Sequence, residues 1–365
     1  MNLPTPAPRA TTTTATAAGA VLPQARGEVS SDLLAALRGT VGTHLPDPAA
    51  ASRAAPFSED LQLVLYICYE LHYQGFAGVD AAWEWDPELL RLRGAMERRF
   101  LAGLREGTAG HPDLEAALDH MVVEPVDGTG ITHFLADEGT LWQLREYAAQ
   151  RSLYHLKEAD PHAWVIPRLR GRAKAAFAAV EFDEFGAGHP ERIHAQLFAD
   201  LMHDLGLDTT YGRYLDAAGP EMLATVNMMS LFGLHRALRG ALVGHFAAVE
   251  TTSSPASRRL AGAMRRTGAG PAAEHFYAEH VTADAVHEQV VRRDVIGGLL
   301  AEEPSLASDM AFGLAATAML DDRFGHRLTS MWREGRTSLR VPLDISLPRR
   351  VPPRDERRPG DGNLT

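Results

Sequence analysis

The most constraining feature of this chain is a polar stripe on a segment that has the spacing of a buried helix. Between residues 273 and 295, side chains at intervals of three and four share one face of an α-helix. That face carries Ala273, Tyr277, His280, Asp284, His287, Val291 and Val295. Two imidazoles and a carboxylate therefore stand where a core helix would normally carry leucine.

Burying His280, Asp284 and His287 costs on the order of a few kcal/mol for each group unless each meets a charge partner. A metal ion satisfies two imidazoles and a carboxylate together. The alternative is a solvent-exposed face with two unrelated histidines. The opposite side of this helix already carries charged residues, namely Glu279, Glu288, Arg292 and Arg293. The sequence therefore favours a metal site on the inner face.

Composition limits the classes of partner. The chain has 365 residues, 45% of them hydrophobic, which suits one large folded domain with appended tails. A net charge of -11 argues against nucleic acid or an anionic membrane and favours a small-molecule substrate. Monomer and homodimer both remain open.

The single cysteine, Cys68, excludes an internal disulfide and a thiolate zinc cluster, so metal ligands must be histidines and carboxylates. This cysteine usage predicts a cytoplasmic protein. No apolar stretch approaches the length needed to span a bilayer, so no membrane association is expected.

Helical periodicity recurs along almost the whole chain and predicts an all-α bundle. Candidate helices cover 30–38, 57–77, 87–105, 139–159, 162–182, 191–206, 219–249, 255–267, 271–302 and 307–333. Breaks are expected at Asp160-Pro161, Gly186, Gly188, Pro190, Ser254-Pro255 and Pro304. Strand-like alternation is scarce, with Val122-Val123 and Ile131-Thr132 the nearest cases. Residues 1–28 are predicted to be disordered and the proline-rich tail 341–365 irregular.

Two acidic residues stand near predicted helix ends. Glu158 and Glu250 would each oppose the helix dipole by roughly 0.3 to 1 kcal/mol, which a nearby cation would explain. Acidic residues at helix ends without a cation are also common, so both interpretations stay open.

Further candidate ligands cluster in residues 180–198. They are Glu181, Asp183, Glu184, His189, Glu191 and His194. Glu191 and His194 form the Glu-x-x-His pair of ferritin-like di-iron bundles, but the chain has no second copy of that motif. A break at Gly186 would instead let Glu184 and His194 converge. Spacing alone leaves Glu181, Glu184 and Glu191 as alternatives.

These segments resemble the haem-oxygenase-like di-iron oxidases and oxygenases, which are iron-containing redox enzymes. The resemblance covers about residues 57–335, and its most specific element is the His-x-x-x-Asp-x-x-His helix. Its other segments are DLQLVLYICYELHYQGF, YHLKEADPHAW, VEFDEFGAGHPERIHAQLFADLM and HFAAVETTSS. It implies a haem-oxygenase-like metal-binding bundle over 139–340, preceded by an N-terminal helical extension and cover helices over 29–138.

The resemblance also implies a site for two iron ions. Its ligands in this chain would be Glu158, Glu184, His194, Glu250, His280, Asp284 and His287. Compact members place the upstream Glu and His seven residues apart, whereas Glu184 and His194 lie ten apart, as in the longer variant among members that oxygenate nitrogen. Independently of the resemblance, four carboxylates and three neutral histidines would balance two divalent cations.

The activity implied by the resemblance is oxidation of a substrate by O2 with an external reductant or electron donor. N-oxygenation of a small nitrogen-containing metabolite in a biosynthetic pathway is favoured over desaturation or oxidative carbon–carbon cleavage. Tyr154 and Tyr277, one helical turn before Glu158 and His280, would donate hydrogen bonds to a ligand or to bound oxygen, unless they are ordinary core aromatics.

Three other functions compete with this one. A haem-degrading oxygenase would leave Asp284 and His287 without a role. A His-Asp type metal-dependent phosphohydrolase would be built on His203-Asp204, a doublet expected by chance in such a chain. A helical binding protein without enzymatic activity is the third alternative.

Overall fold

The computed structural model describes residues 19–51, 53–122 and 128–343. The described part is helical, and its β-structure is a single bridge between Ala20 and Phe76. The helices are α1 Glu28–Leu37, α2 Pro48–Ala51, α3 Glu59–Glu70, α4 Pro87–Gly107, α5 Leu114–Val122, α6 Ile131–Asp137, α7 Leu141–His155, α8 Asp160–Ala163, α9 Gly171–Glu184, α10 His194–Asp204, α11 Pro220–Leu234, α12 Arg239–Thr267, α13 Pro271–Val290, α14 Gly297–Glu302 and α15 Ala307–Arg333. The predicted all-α class is confirmed.

The centre of the bundle is built from two helices that are buried on every face. In α3 every residue from Leu61 to Glu70 is buried, and in α11 every residue from Met222 to Gly233 is buried. Helices without a polar face have to lie inside a protein, and α3 and α11 pack directly on each other. The amphipathic helices surround this pair.

Helix α12 is the main support of the site because it packs along both α13 and α15. Two glycines allow the crossing with α15. A Cβ atom on Gly244 would lie 1.9 Å from the Met310 carbonyl oxygen, and one on Gly313 would lie 1.9 Å from the Ala241 carbonyl oxygen. Only glycine therefore permits this backbone approach.

The start of α13 is fixed by another helix. Gly270 has φ +128, which favours glycine, and Pro271 occupies the first turn, where a missing N–H costs nothing. The amides of Ala272 and Ala273 donate to Asp204 Oδ2 at 2.6 and 3.2 Å. Asp204 at the end of α10 thus caps α13 and sets the position of its inner face.

Several predicted boundaries differ from the structure. The break expected at Ser254-Pro255 is wrong, because α12 continues through Pro255 and the chain instead breaks between α11 and α12. Packing of α12 against α13 outweighs the hydrogen bond that proline removes. The predicted helix 162–182 begins only at Gly171. Ile131-Thr132, noted for its strand-like pattern, starts helix α6.

The N-terminal prediction is wrong in part. Residues 19–28 were expected to be disordered, yet Ala20 is buried and its carbonyl accepts from the Ala77 amide. Arg26 extends this contact, because its guanidinium donates to the Leu215 carbonyl at 2.6 Å. Residues 1–18 and 344–365 lie outside the described part, and so does Val123. Each helix of the described part is too short or too polar to cross a membrane.

Candidate metal centre

The seven predicted ligands gather into two adjoining buried groups. In each group, one potential ligand atom from every member lies within 4.8 Å of those of the others. The first group consists of Glu158, His194 and His280, and the second of Glu184, Glu250, Asp284 and His287. All seven side chains are buried, with at most 7% of each residue exposed.

Helix α13 contributes to both groups. The predicted inner stripe from Ala273 to Val295 is buried at all seven positions, which confirms the orientation of this helix. His280 Nδ1 lies 2.8 Å from the Phe276 carbonyl oxygen, an acceptor, so Nδ1 carries the proton. His280 Nε2 is therefore the ring nitrogen left for a metal, and it lies 3.9 Å from Glu158 Oε1.

His287 is oriented from both sides of its ring. Its Nδ1 lies 3.2 Å from Glu250 Oε2, 3.7 Å from Glu184 Oε1 and 3.8 Å from Asp284 Oδ1. Its Nε2 lies 3.4 Å from Asp183 Oδ2. A carboxylate on the outer nitrogen is the usual device for directing a histidine towards a metal. Asp183 thus turns Nδ1 of His287 towards the three carboxylates.

Glu158 stands in a tight turn after α7. His155 Nδ1 lies 2.9 Å from Glu158 Oε1, and Lys157 forms a buried ion pair with Glu70 at 2.8 Å. Ala159 then takes a left-handed φ of 74, which redirects the chain towards α8. The conformation of the turn is therefore fixed on both sides of Glu158. His155 was not identified from the sequence, because its role depends on this turn.

The long spacing between Glu184 and His194 is bridged by a turn that needs glycine. Gly186 has φ +75, and a Cβ there would lie 2.7 Å from the Ile193 amide nitrogen. The chain doubles back, so that Glu184 at the end of α9 meets His194 at the start of α10, with Oε2 to Nδ1 2.6 Å. The two residues converge as the sequence suggested.

The three glutamates considered for this position differ in burial and in their neighbours. Glu191 is exposed and lies 3.6 Å from the exposed His189, outside both groups. Glu181 is buried but belongs to neither group, and its Oε1 lies 3.9 Å from His162 Nδ1. Burial raises the pKa of Glu181 well above its usual range, and Glu184 adds to the rise.

Glu250 lies in the middle of α12 and not in a last turn. The helix-dipole argument for Glu250 is therefore wrong, although the side chain does reach His287. Burial raises the pKa of Glu250 to about 7, and the carboxylates of Glu184 and Asp284 add to this rise while His287 opposes it. A bound cation would reduce the repulsion between these neighbouring carboxylates.

The pKa values of two histidines of the centre are also raised, but by neighbouring carboxylates and against the effect of burial. Burial alone would lower the pKa of His280, but Glu158 and then Asp284 raise it to about 10. Burial likewise opposes the rise at His287, where Glu250 and Glu184 raise the pKa to about 9. In the absence of metal, protons on these imidazoles partly neutralise the carboxylates.

The donor atoms fit a metal ion. Within the described residues, four buried atoms of the centre have no hydrogen-bond partner, which are Glu158 Oε2, His194 Nδ1, His280 Nε2 and Asp284 Oδ2. Leaving a buried polar atom without a partner costs about 1 to 3 kcal/mol. Cations among these atoms would satisfy them. Imidazole and carboxylate donors without thiolate suit iron or manganese.

A chain of histidines behind the centre was not foreseen from the sequence. The Thr317 hydroxyl donates to the Gly313 carbonyl at 2.8 Å, so it must accept from His245 Nδ1 at 2.8 Å. His245 Nε2 is then an acceptor for His162 Nε2–H at 3.1 Å. Burial lowers the pKa of both imidazoles, that of His162 to about 4. Hydrogen bonds between neutral histidines thus connect α15 through α12 to α8.

A cavity of about 410 Å³ opens from the metal centre. Glu158, His280 and Asp284 line it, and so do Tyr154 and Tyr277. Both tyrosines are buried, and Tyr277 Oη has no hydrogen-bond partner in the described part of the chain. The cavity places both phenol rings beside the candidate ligands, while their catalytic role stays a prediction.

The structure gives the competing His-Asp doublet another use. Asp204 caps α13, and His203 is exposed to solvent. Neither residue belongs to the two groups of potential ligands. The phosphohydrolase hypothesis therefore loses the doublet on which it was built.

Comparison with known protein families adds an independent observation. Residues 145–322 match the model of a family described as iron-containing redox enzyme. This match covers just under half of the chain. The matched range contains all seven predicted ligands and the whole of the two groups. No curated protein gives a match to the chain. The match supports an iron-dependent oxidoreductase with an all-α fold.

Proposed function

We propose that this protein is a non-haem di-iron oxygenase that oxidises a small nitrogen-containing metabolite with O2, N-oxygenation being the favoured reaction. The proposal rests mainly on the two adjoining buried groups, each with histidine and carboxylate donors. Glu158, His194 and His280 would hold one iron. Glu184, Glu250, Asp284 and His287 would hold the other.

When bound, two ferrous ions would supply electrons for the reduction of O2, and an external reductant would restore them. The protein holds its ligands in fixed orientations through His155, Asp183 and the Phe276 carbonyl. The ring of Phe276 packs on His280, with centroids 4.5 Å apart, and limits the access of water to that ligand.

Tyr277 would act on the substrate side of the centre. Burial raises the pKa of Tyr277 well above its usual range, so its hydroxyl keeps the proton. Because Tyr277 Oη has no hydrogen-bond partner among the described residues, it is free to donate to an oxygen or nitrogen atom of a substrate in the cavity.

The decisive experiment is anaerobic loading of the purified protein with ferrous ion, followed by a count of iron per chain and mixing with O2. Two irons per chain and a transient visible absorption are expected. Inertness to O2 in a protein that holds two irons would contradict the oxygenase proposal. A Soret band on addition of haem, without uptake of ferrous ion, would favour a haem enzyme instead.

Metal uptake should depend on pH in a defined direction. Since the pKa values of His280 and His287 are raised to about 10 and about 9, both imidazoles bind protons at neutral pH in the metal-free protein, and each metal must displace one. Affinity therefore falls as the pH falls, by at least about tenfold per unit for each metal between pH 6 and 8. Because the pKa of Glu250 is raised to about 7, the metal that it would bind has a further proton to displace below pH 7, and the dependence there is steeper. Mn(II) titrations at pH 6, 7 and 8 measure this, and a constant affinity would contradict it.

A further inference from the structure

Lys157 and Glu70 form a buried ion pair between two segments that are far apart in the chain. Lys157 Nζ lies 2.8 Å from Glu70 Oε2, and the two side chains are 1% and 0% exposed. Glu70 is the last residue of α3, whereas Lys157 stands in the turn after α7 and directly precedes Glu158. The pair therefore joins the central helix α3 to the turn that carries a candidate metal ligand.

The neighbours of this ion pair hold both charged groups in place. The Tyr211 hydroxyl lies 2.8 and 2.9 Å from the two oxygens of Glu70 and donates to this carboxylate. Lys157 Nζ lies 4.8 Å from the centre of the Tyr66 ring and 4.4 Å from that of the Tyr73 ring, so two π faces lie against the ammonium group. These contacts hold the Lys157 side chain in one orientation, and its backbone with it.

The backbone next to this pair is strained. Ala159 adopts φ 74, in the left-handed region that is unfavourable for a residue with a Cβ atom. It is buried, and its carbonyl accepts from the His162 amide at 2.9 Å, at the start of the next helix. A turn of this kind persists only where its surroundings fix it. The ion pair, two residues earlier in the chain, is a contact that does so.

Stability alone does not explain a buried ion pair. Removing two charges from water is costly, and well-packed apolar residues of similar volume are often at least as stabilising. What such a pair can supply instead is a defined geometry. Here the geometry concerns the position of Glu158, which is the one carboxylate among the three candidate ligands of the first group.

We propose that Lys157 and Glu70 are positioning residues, which place Glu158 for the metal of the first group. This inference rests on the proposed di-iron function. It makes one ligand of the centre depend on α3, which lies outside the residues 145–322 that match the family model. The second group has three carboxylates of its own, and they stand on α9, α12 and α13. Loss of the ion pair should therefore weaken one metal and spare the other.

The test removes both charges and keeps the shapes of the side chains. In E70Q/K157M the new amide still accepts from Tyr211, and the new thioether still packs on the tyrosine rings. Because such a double replacement is often neutral for stability, the denaturant midpoint of unfolding should stay close to that of the parent protein. Titration with Mn(II), followed by calorimetry, measures the affinity of each ion.

Only one of the two ions should respond. In E70Q/K157M the ion held with Glu158 should bind about tenfold to hundredfold more weakly, which is the loss expected when a residue that orients a ligand is removed. Added to H287A, which keeps the first ion, the double replacement should weaken that remaining ion. Added to H280A, which keeps the second ion, it should have no effect. A role in stability alone would not separate the two ions.

A milder variant and a matched control complete the test. Y211F keeps both charges and removes a donor to Glu70, so it should weaken the first ion by a smaller factor. R93M/E97Q is the control, because Arg93 Nε lies 3.1 Å from Glu97 Oε1 in another largely buried ion pair, and Glu97 accepts from the Tyr69 hydroxyl at 3.2 Å. Neither residue adjoins a candidate ligand in the chain, so both ions should bind as in the parent protein.

The outcomes separate this inference from the proposed function. Parent affinities for both ions in E70Q/K157M would overturn the positioning role alone, and so would an equal loss of both ions in a variant that unfolds as the parent protein does. If E70Q/K157M did not fold, Y211F would decide by the same comparison. If the folded parent protein bound fewer than two Mn(II) ions, the di-iron proposal itself would be wrong.

Discussion

Replacing His287 with alanine is expected to remove one of two bound irons and to leave the other. His287 Nδ1 faces Glu184, Glu250 and Asp284, and the second group has no other imidazole. Loss of a directly coordinating side chain should weaken that metal by more than about 100-fold, since even supporting residues contribute up to that amount. H280A should weaken the iron held with Glu158 instead. Metal content after dialysis, with stepwise titration of each variant, measures the effect.

The matched control for these variants is H275A. His275 lies on the same helix, but its side chain is exposed and pairs with Glu279 at the surface. It should keep two irons and the parent affinity. Retention of two tightly bound irons in both H280A and H287A would show that these histidines are not ligands, and the proposed di-iron centre would be wrong.

Gly244 and Gly313 are expected to be the most sensitive positions of the scaffold. An alanine at either would place its Cβ 1.9 Å from a carbonyl oxygen of the facing helix, so α12 and α15 would have to separate. Overpacking of this kind costs about 1 to 3 kcal/mol, and more where backbone must move. We expect at least about 3 kcal/mol of lost stability in denaturant unfolding, and weaker iron binding because α12 carries Glu250.

Gly262 supplies the control for this prediction because it lies on the same helix. A Cβ there meets nothing within 4 Å, so G262A should stabilise the protein by about 0.5 to 1 kcal/mol through its higher helix propensity. If G244A and G313A unfolded at the same denaturant concentration as G262A, the close crossing of α12 and α15 would be wrong.

The inner face of α13 could be read from the sequence because helical spacing is a local property. Residues three and four apart share a face whatever surrounds the helix, so the positions of His280, Asp284 and His287 relative to one another followed from their numbers. The absence of thiolates followed from the single Cys68, and it limited the ligands to histidine and carboxylate. The all-α class followed from the same periodicity over the rest of the chain.

Other features depended on packing between distant segments. Helix α12 runs through Pro255 because its contacts with α13 outweigh one lost hydrogen bond, which puts Glu250 in the middle of a helix. The choice of Glu184 over Glu191 depended on a glycine turn that buries one carboxylate and exposes the other. Neither result could be predicted from residue spacing. Each depends on the energies of contacts that exist only in the folded chain.

The sequence by itself determined which residue types could meet a metal and which face of α13 would carry them. Only the tertiary structure decided that the candidate ligands divide into two groups and that His155 and Asp183 lie beside them. The physical reason is range: helical periodicity acts over a few residues, whereas the pairing or isolation of a charge depends on side chains that the fold brings from far along the chain.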